Sequence, residues 1–136
     1  MRKVMTLVSM FVFVLSGAVT AHEGHDHSPG LVQAPHGGMI QKVANQYYVE
    51  VQGKGDSVKV YPLTLEMKPI PLSEISVTAT SQAPKKRNES MKLSPTGGDA
   101  FEGTVKTKGL HRYKLELAIS HKGKKELLTF QIEPQG

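Results

Sequence analysis

The chain has 136 residues, a formal net charge of +5 and no cysteine. Without a thiol it has no disulfide, no thiolate metal ligand and no thiol nucleophile. Its length suits one domain with a hydrophobic core rather than two, and its charge is too mild for a nucleic-acid footprint.

The first 21 residues read as a secretory signal peptide. Met1-Arg2-Lys3 is a short positive start, and Val4 to Val19 is almost wholly apolar. The small or short residues Ala18-Val19-Thr20-Ala21 then suit a signal-peptidase cut after Ala21. No cysteine follows the apolar stretch, so a lipoprotein attachment site is absent. Cleavage removes Arg2 and Lys3, lowers the formal charge from +5 to +3, and leaves residues 22–136 in the periplasm or outside the cell. Residues 22–35 are polar, contain Pro29-Gly30 and show no apolar period, which predicts a disordered, His-rich tail.

From His36 to Gly136 the pattern predicts a single β domain. Met39–Val43 is a first strand. Gln46–Gln52 is a second, with Tyr47, Val49 and Val51 on one face, and a turn at residues 53–56 leads into Ser57–Leu63. Pro62, Pro69 and Pro71 mark an edge or a crossing between sheets. Glu74–Thr80 alternates, residues 84–88 form an exposed loop, Ser90–Ser94 is a short strand, and a turn at 96–99 precedes Phe101–Lys106. The longest alternation places His111, Tyr113, Leu115, Leu117 and Ile119 on one buried face. Lys122-Gly123-Lys124 turns the chain into a last strand with Leu128, Phe130 and Ile132 inward. About seven to nine short strands with no competing helix predict an all-β, immunoglobulin-like β-sandwich. Tyr113 stands where a tyrosine corner would, and Leu115 where antibody domains place a cysteine.

Chemistry concentrates in His22-Glu23-Gly24-His25-Asp26-His27, where three of the six histidines fall within six residues beside two carboxylates. Imidazole suits zinc, copper and nickel, and a carboxylate such as that of Asp26 completes a site. A cut after Ala21 makes His22 the first residue, so its amine and imidazole can chelate one ion, with His25 or His27 as a further nitrogen. The N-terminal copper site that needs a histidine third in line is absent, because Gly24 holds that place. His36, in Pro35-His36-Gly37-Gly38, reads as a turn histidine and as a further candidate ligand. His111 is expected partly buried and His121 exposed, and Met39, Met67 and Met91 are expected in the core. Lys85-Lys86-Arg87 reads as a solvated loop. No nucleophile-elbow serine, helical histidine pair or phosphate-cradling glycine loop is present, so a non-enzymatic protein is expected.

Pro35-His36-Gly37-Gly38-Met39, Tyr47-Tyr48-Val49-Glu50-Val51, Val60-Tyr61-Pro62-Leu63, Pro69-Ile70-Pro71-Leu72 and Phe101-Glu102-Gly103 together resemble a small β-domain. It is the N-terminal domain of periplasmic adaptor subunits of heavy-metal efflux pumps, which often follows a histidine-rich leader. The resemblance covers nearly all of residues 36–133. It implies a periplasmic protein that binds copper, zinc or a similar ion and buffers it or delivers it to efflux-pump components. Such adaptors also carry a long helical hairpin and a lipoyl-like domain, which this sequence does not contain, so a free-standing version of the module is expected. An N-terminal histidine on a small sandwich is also similar to periplasmic copper-resistance carriers. The alternative expectation is a protein-protein interaction module with an incidental tail.

Overall fold

A computed structural model describes residues 32–134. The expected signal peptide and most of the expected tail lie outside them. Residues 32–34 have no regular structure, and nine strands follow: β1 Met39–Val43, β2 Tyr47–Lys54, β3 Ser57–Leu63, β4 Ile75–Gln82, β5 Glu89–Met91, β6 Ser94–Pro95, β7 Phe101–Thr104, β8 Tyr113–His121 and β9 Lys124–Ile132. One short 3-10 turn, Leu72–Glu74, precedes β4.

The strands form two antiparallel sheets, ordered β1-β2-β3-β7-β6 and β5-β4-β8-β9. The run β2-β3-β7-β6 follows the A-B-E-D order of an immunoglobulin-type sheet, and β4-β8-β9 follows C-F-G. Strand β1 extends the first sheet by a hairpin, with Met39 opposite Val51 and Val43 opposite Tyr47. The expected all-β sandwich is therefore the observed one.

Hydrophobic burial between the sheets holds them together. Val49, Val51, Val58 and Val60 face Leu115, Leu117, Ile119 and Phe130 across one cluster, each at most 1 % exposed. The predicted alternation of β8 is exact from Tyr113 to Ile119. The β2–β3 turn closes on Gly55-Asp56 alone, since Lys54 pairs Ser57. Likewise Lys122-Gly123 closes β8–β9, with positive φ at both residues, because only that twist matches two flanking strands.

The prolines do mark a crossing. Pro62 lies beyond the last β3–β7 pair, Val60 with Phe101, and its carbonyl accepts the Ile70 N–H at 3.0 Å. The chain then passes through Leu72–Glu74 into the second sheet. The expected single strand Ser90–Ser94 divides instead. Met91 ends β5 in the second sheet, while Ser94 opens β6 in the first. The passage runs over Gly103, where a Cβ would press on Met91 Sδ, Leu93 and the Lys92 carbonyl.

Tyr113 occupies the corner position at the start of β8, and Leu115 is fully buried. The tyrosine-corner hydrogen bond is missing, however. The Tyr113 hydroxyl is buried without a hydrogen-bond partner among the described residues. Burial, and then the charge of Asp56, push its pKa up to about 12. Asp56 itself accepts hydrogen bonds from the Thr107 hydroxyl and, at 3.0 Å, from the Thr107 N–H, and these hold its carboxyl below the usual range.

Candidate functional site

His22, His25, Asp26 and His27 lie outside the described residues. Of the expected metal ligands, His36 alone is described, and the fold gives it a defined setting. The segment 36–38 folds back over the outer face of β2 and is gripped by Glu50. One carboxylate oxygen of Glu50 accepts the N–H of His36 and the N–H of Gly38, both at 2.9 Å. The other accepts His36 Nδ1–H at 2.8 Å. Gln52 Nε2 adds a donor to the His36 carbonyl at 2.9 Å.

Glu50 is 0 % exposed, flanked in β2 by the buried Val49 and Val51. A buried carboxylate is tolerated because three hydrogen bonds replace its lost water. The backbone of the turn must come close for this, and Gly38 permits it, since a Cβ there would overlap the Val51 carbonyl oxygen. The imidazole of His36 stacks on the Tyr61 ring, with centroids 3.7 Å apart and planes within 9°. Its side chain keeps 35 % of its surface exposed. Because His36 Nδ1–H donates to Glu50, the lone pair of the neutral ring sits on Nε2. A carboxylate behind an imidazole fixes its tautomer and ring orientation.

The other histidines exchange the environments expected of them. His111 is exposed and precedes β8 rather than extending its buried face. His121 ends β8 on the same face as Ile119, and its side chain is only 9 % exposed. It meets Tyr47 edge to face, with centroids 5.1 Å apart. Its Nε2 is buried without a hydrogen-bond partner among the described residues and lies 3.7 Å from Glu74 Oε2. The Tyr47 hydroxyl is also buried and unpartnered, and burial, followed by the charge of Glu126, raises its pKa. Among the methionines, Met91 joins the core as expected, while Met39 is 38 % exposed and Met67 is half-buried in a turn at positive φ.

Two functional features escaped the sequence reading, and each left a signal. Glu50 is a carboxylate within the otherwise apolar run Tyr47–Val51, downstream of a Pro-His-Gly-Gly turn that needs an acceptor for its N–H groups. His121 is two residues beyond Ile119, so the period of two already placed it inward. Among the described residues, no group of three or more His, Asp or Glu is arranged to hold a metal ion. Compared with known proteins, the chain matches no family model, no curated protein and no solved structure.

Proposed function

We propose that this protein is an exported, non-enzymatic carrier of a transition-metal ion, copper or zinc, that buffers the ion or delivers it to periplasmic components of an efflux system. The observation that carries this reading is the run His22-Glu23-Gly24-His25-Asp26-His27 directly after a signal-peptide pattern. Three imidazoles, two carboxylates and a new terminal amine supply the nitrogen and oxygen donors that copper and zinc prefer. The resemblance of residues 36–133 to the adaptor β-domain supports the efflux partner. The pinned imidazole of His36 is one more nitrogen whose orientation is set before any ion arrives.

Cu(II) or Zn(II) should bind the chain that starts at His22 at micromolar affinity or tighter. Binding should weaken as pH falls through roughly 6.5, the ordinary imidazole value, because protons compete for the ligand nitrogens. Isothermal titration of that chain and of one lacking residues 22–27 tests this. The tight site should vanish in the shortened chain, with the metal-free Tm nearly unchanged. Equal affinity in both chains would move the site to the sandwich and to His36, His111 or His121. Absence of binding in both would favour the interaction-module reading.

A further inference from the structure

A second group of polar atoms gathers at the end of the sandwich where the β1–β2 turn, the β3–β4 crossing and the β8–β9 turn meet. A cleft of about 240 Å³ opens there, lined by Tyr47, Glu66, Glu74 and His121 among others. Two of its lining side chains carry buried polar atoms that no described residue satisfies: the Tyr47 hydroxyl and His121 Nε2. Both side chains are at least nine-tenths buried, Tyr47 at 3 % exposure and His121 at 9 %. Native proteins rarely leave such atoms unpaired without a ligand, ion or water to satisfy them.

Glu74 Oε2 lies 3.7 Å from His121 Nε2. That is too long for a hydrogen bond. It is close to the separation of two donors on one ion: zinc–nitrogen and zinc–oxygen bonds at a tetrahedral opening place the donors about 3.4 Å apart. The Glu74 side chain is 54 % exposed, so it can move the remaining few tenths of an ångström. We propose that His121 Nε2 and the Glu74 carboxylate form a second divalent transition-metal site, completed by water, with Tyr47 as a positioning residue. A neutral phenol donates a hydrogen bond, and a metal-bound water or the Glu74 carboxylate accepts it. Glu66 adds negative charge at the cleft, and Lys122, which also lines it, opposes the cation. Two protein donors make an open site that releases its ion readily, which suits hand-off rather than storage. That role rests on the metal-carrier reading, whereas the site itself rests on the geometry.

The test uses the full chain from His22 with His22, His25 and His27 changed to Ala. Equilibrium dialysis with Zn(II) should show one saturable ion, and the His121 imidazole NMR signals should shift with it. His121→Asn should abolish this binding, and Glu74→Gln should weaken it by about tenfold or more. Tyr47→Phe should weaken it by about tenfold while keeping one ion per chain. His111→Asn, at an exposed histidine outside the cleft, should change nothing. Glu74 is largely exposed, so its variant folds and decides the matter if a His121 variant melts early. No saturable zinc in the parent, unchanged binding in Glu74→Gln, or loss of binding in the His111 variant would overturn the site. Failure of the tail reading looks different: the chain with its three tail histidines would then bind no more ions than the chain without them.

Discussion

At the scale of single residues, Glu50 organises the amino-terminal edge of the sandwich. It accepts two backbone N–H groups and one imidazole N–H from residues 36–38. Each hydrogen bond to a charged acceptor is worth roughly 1.5–3 kcal/mol, and neighbours sharing one acceptor do not add fully. Glu50→Ala should therefore cost about 3 kcal/mol and lower Tm by roughly 10 °C or more. It should also release the His36 ring from Tyr61, visible as loss of ring-current shifts in the His36 NMR signals. Glu50→Gln keeps one acceptor oxygen and should cost less. A loss below about 1 kcal/mol for Glu50→Ala would show that the clasp holds nothing in place. Tyr113 gives a pH prediction. Its folded pKa of about 12 exceeds the ordinary 10.0. The folded state thus holds the phenol proton more tightly than the unfolded chain does. The resulting stability is complete below pH 10 and is lost as pH rises towards 12, by roughly 3 kcal/mol. Denaturant titrations across that range should show the loss, and Tyr113→Phe should remove this step from the profile. Because the hydroxyl has no partner, Tyr113→Phe should leave neutral-pH stability unchanged or raise it by about 1 kcal/mol.

At the scale of elements, the period of two carried most of the fold. Strands β3, β8 and β9 fall where alternation and turn residues place them, because each has one face on the core, whereas β1 buries Val43 alone. Leu115 is fully buried while its neighbour Glu116 points outward, between Thr80 and Thr129. Leu115→Ala should cost roughly 2–5 kcal/mol in chemical unfolding, and Glu116→Ala under about 0.5 kcal/mol. Equal costs would mean a register slipped by one residue, which exchanges the two faces. Strand β2 shows where alternation stops being informative. Tyr47 to Val51 are all buried, because the clasped segment and Tyr61 cover the face that would otherwise meet water. That cover comes from a tertiary contact, and no periodicity within β2 encodes it. The division of the expected strand 90–94 has the same origin. Strands of three and two residues are too short to show which sheet each joins, and the tight passage over Gly103 decides it. His111 and His121 exchanged environments because β8 begins at Tyr113 and runs to His121, one pair further towards the turn than its polar neighbours suggest.

At the scale of the whole molecule, the described residues form a cysteine-free sandwich, and the central proposal rests on the histidine-rich segment that precedes it in sequence. The carrier reading joins three features: a leader pattern expected to export the chain, a histidine-rich segment that follows it, and a β-domain resembling the efflux-adaptor module. Composition made the histidine cluster legible, since spacing alone brings its donors within reach of one ion. The His121–Glu74 pair was not legible in that way, because 46 residues separate its members and only the sheet pairing of Ile75 with His121 brings them together. Native mass spectrometry of the protein exported from cells grown with added copper or zinc measures the amino terminus and the metal load together. The expected spectrum is that of residues 22–136 carrying bound copper or zinc, with the metal lost on acidification below about pH 6 as the imidazoles take up protons. A metal-free mass under saturating copper and zinc, or a chain that still begins at Met1, would contradict it.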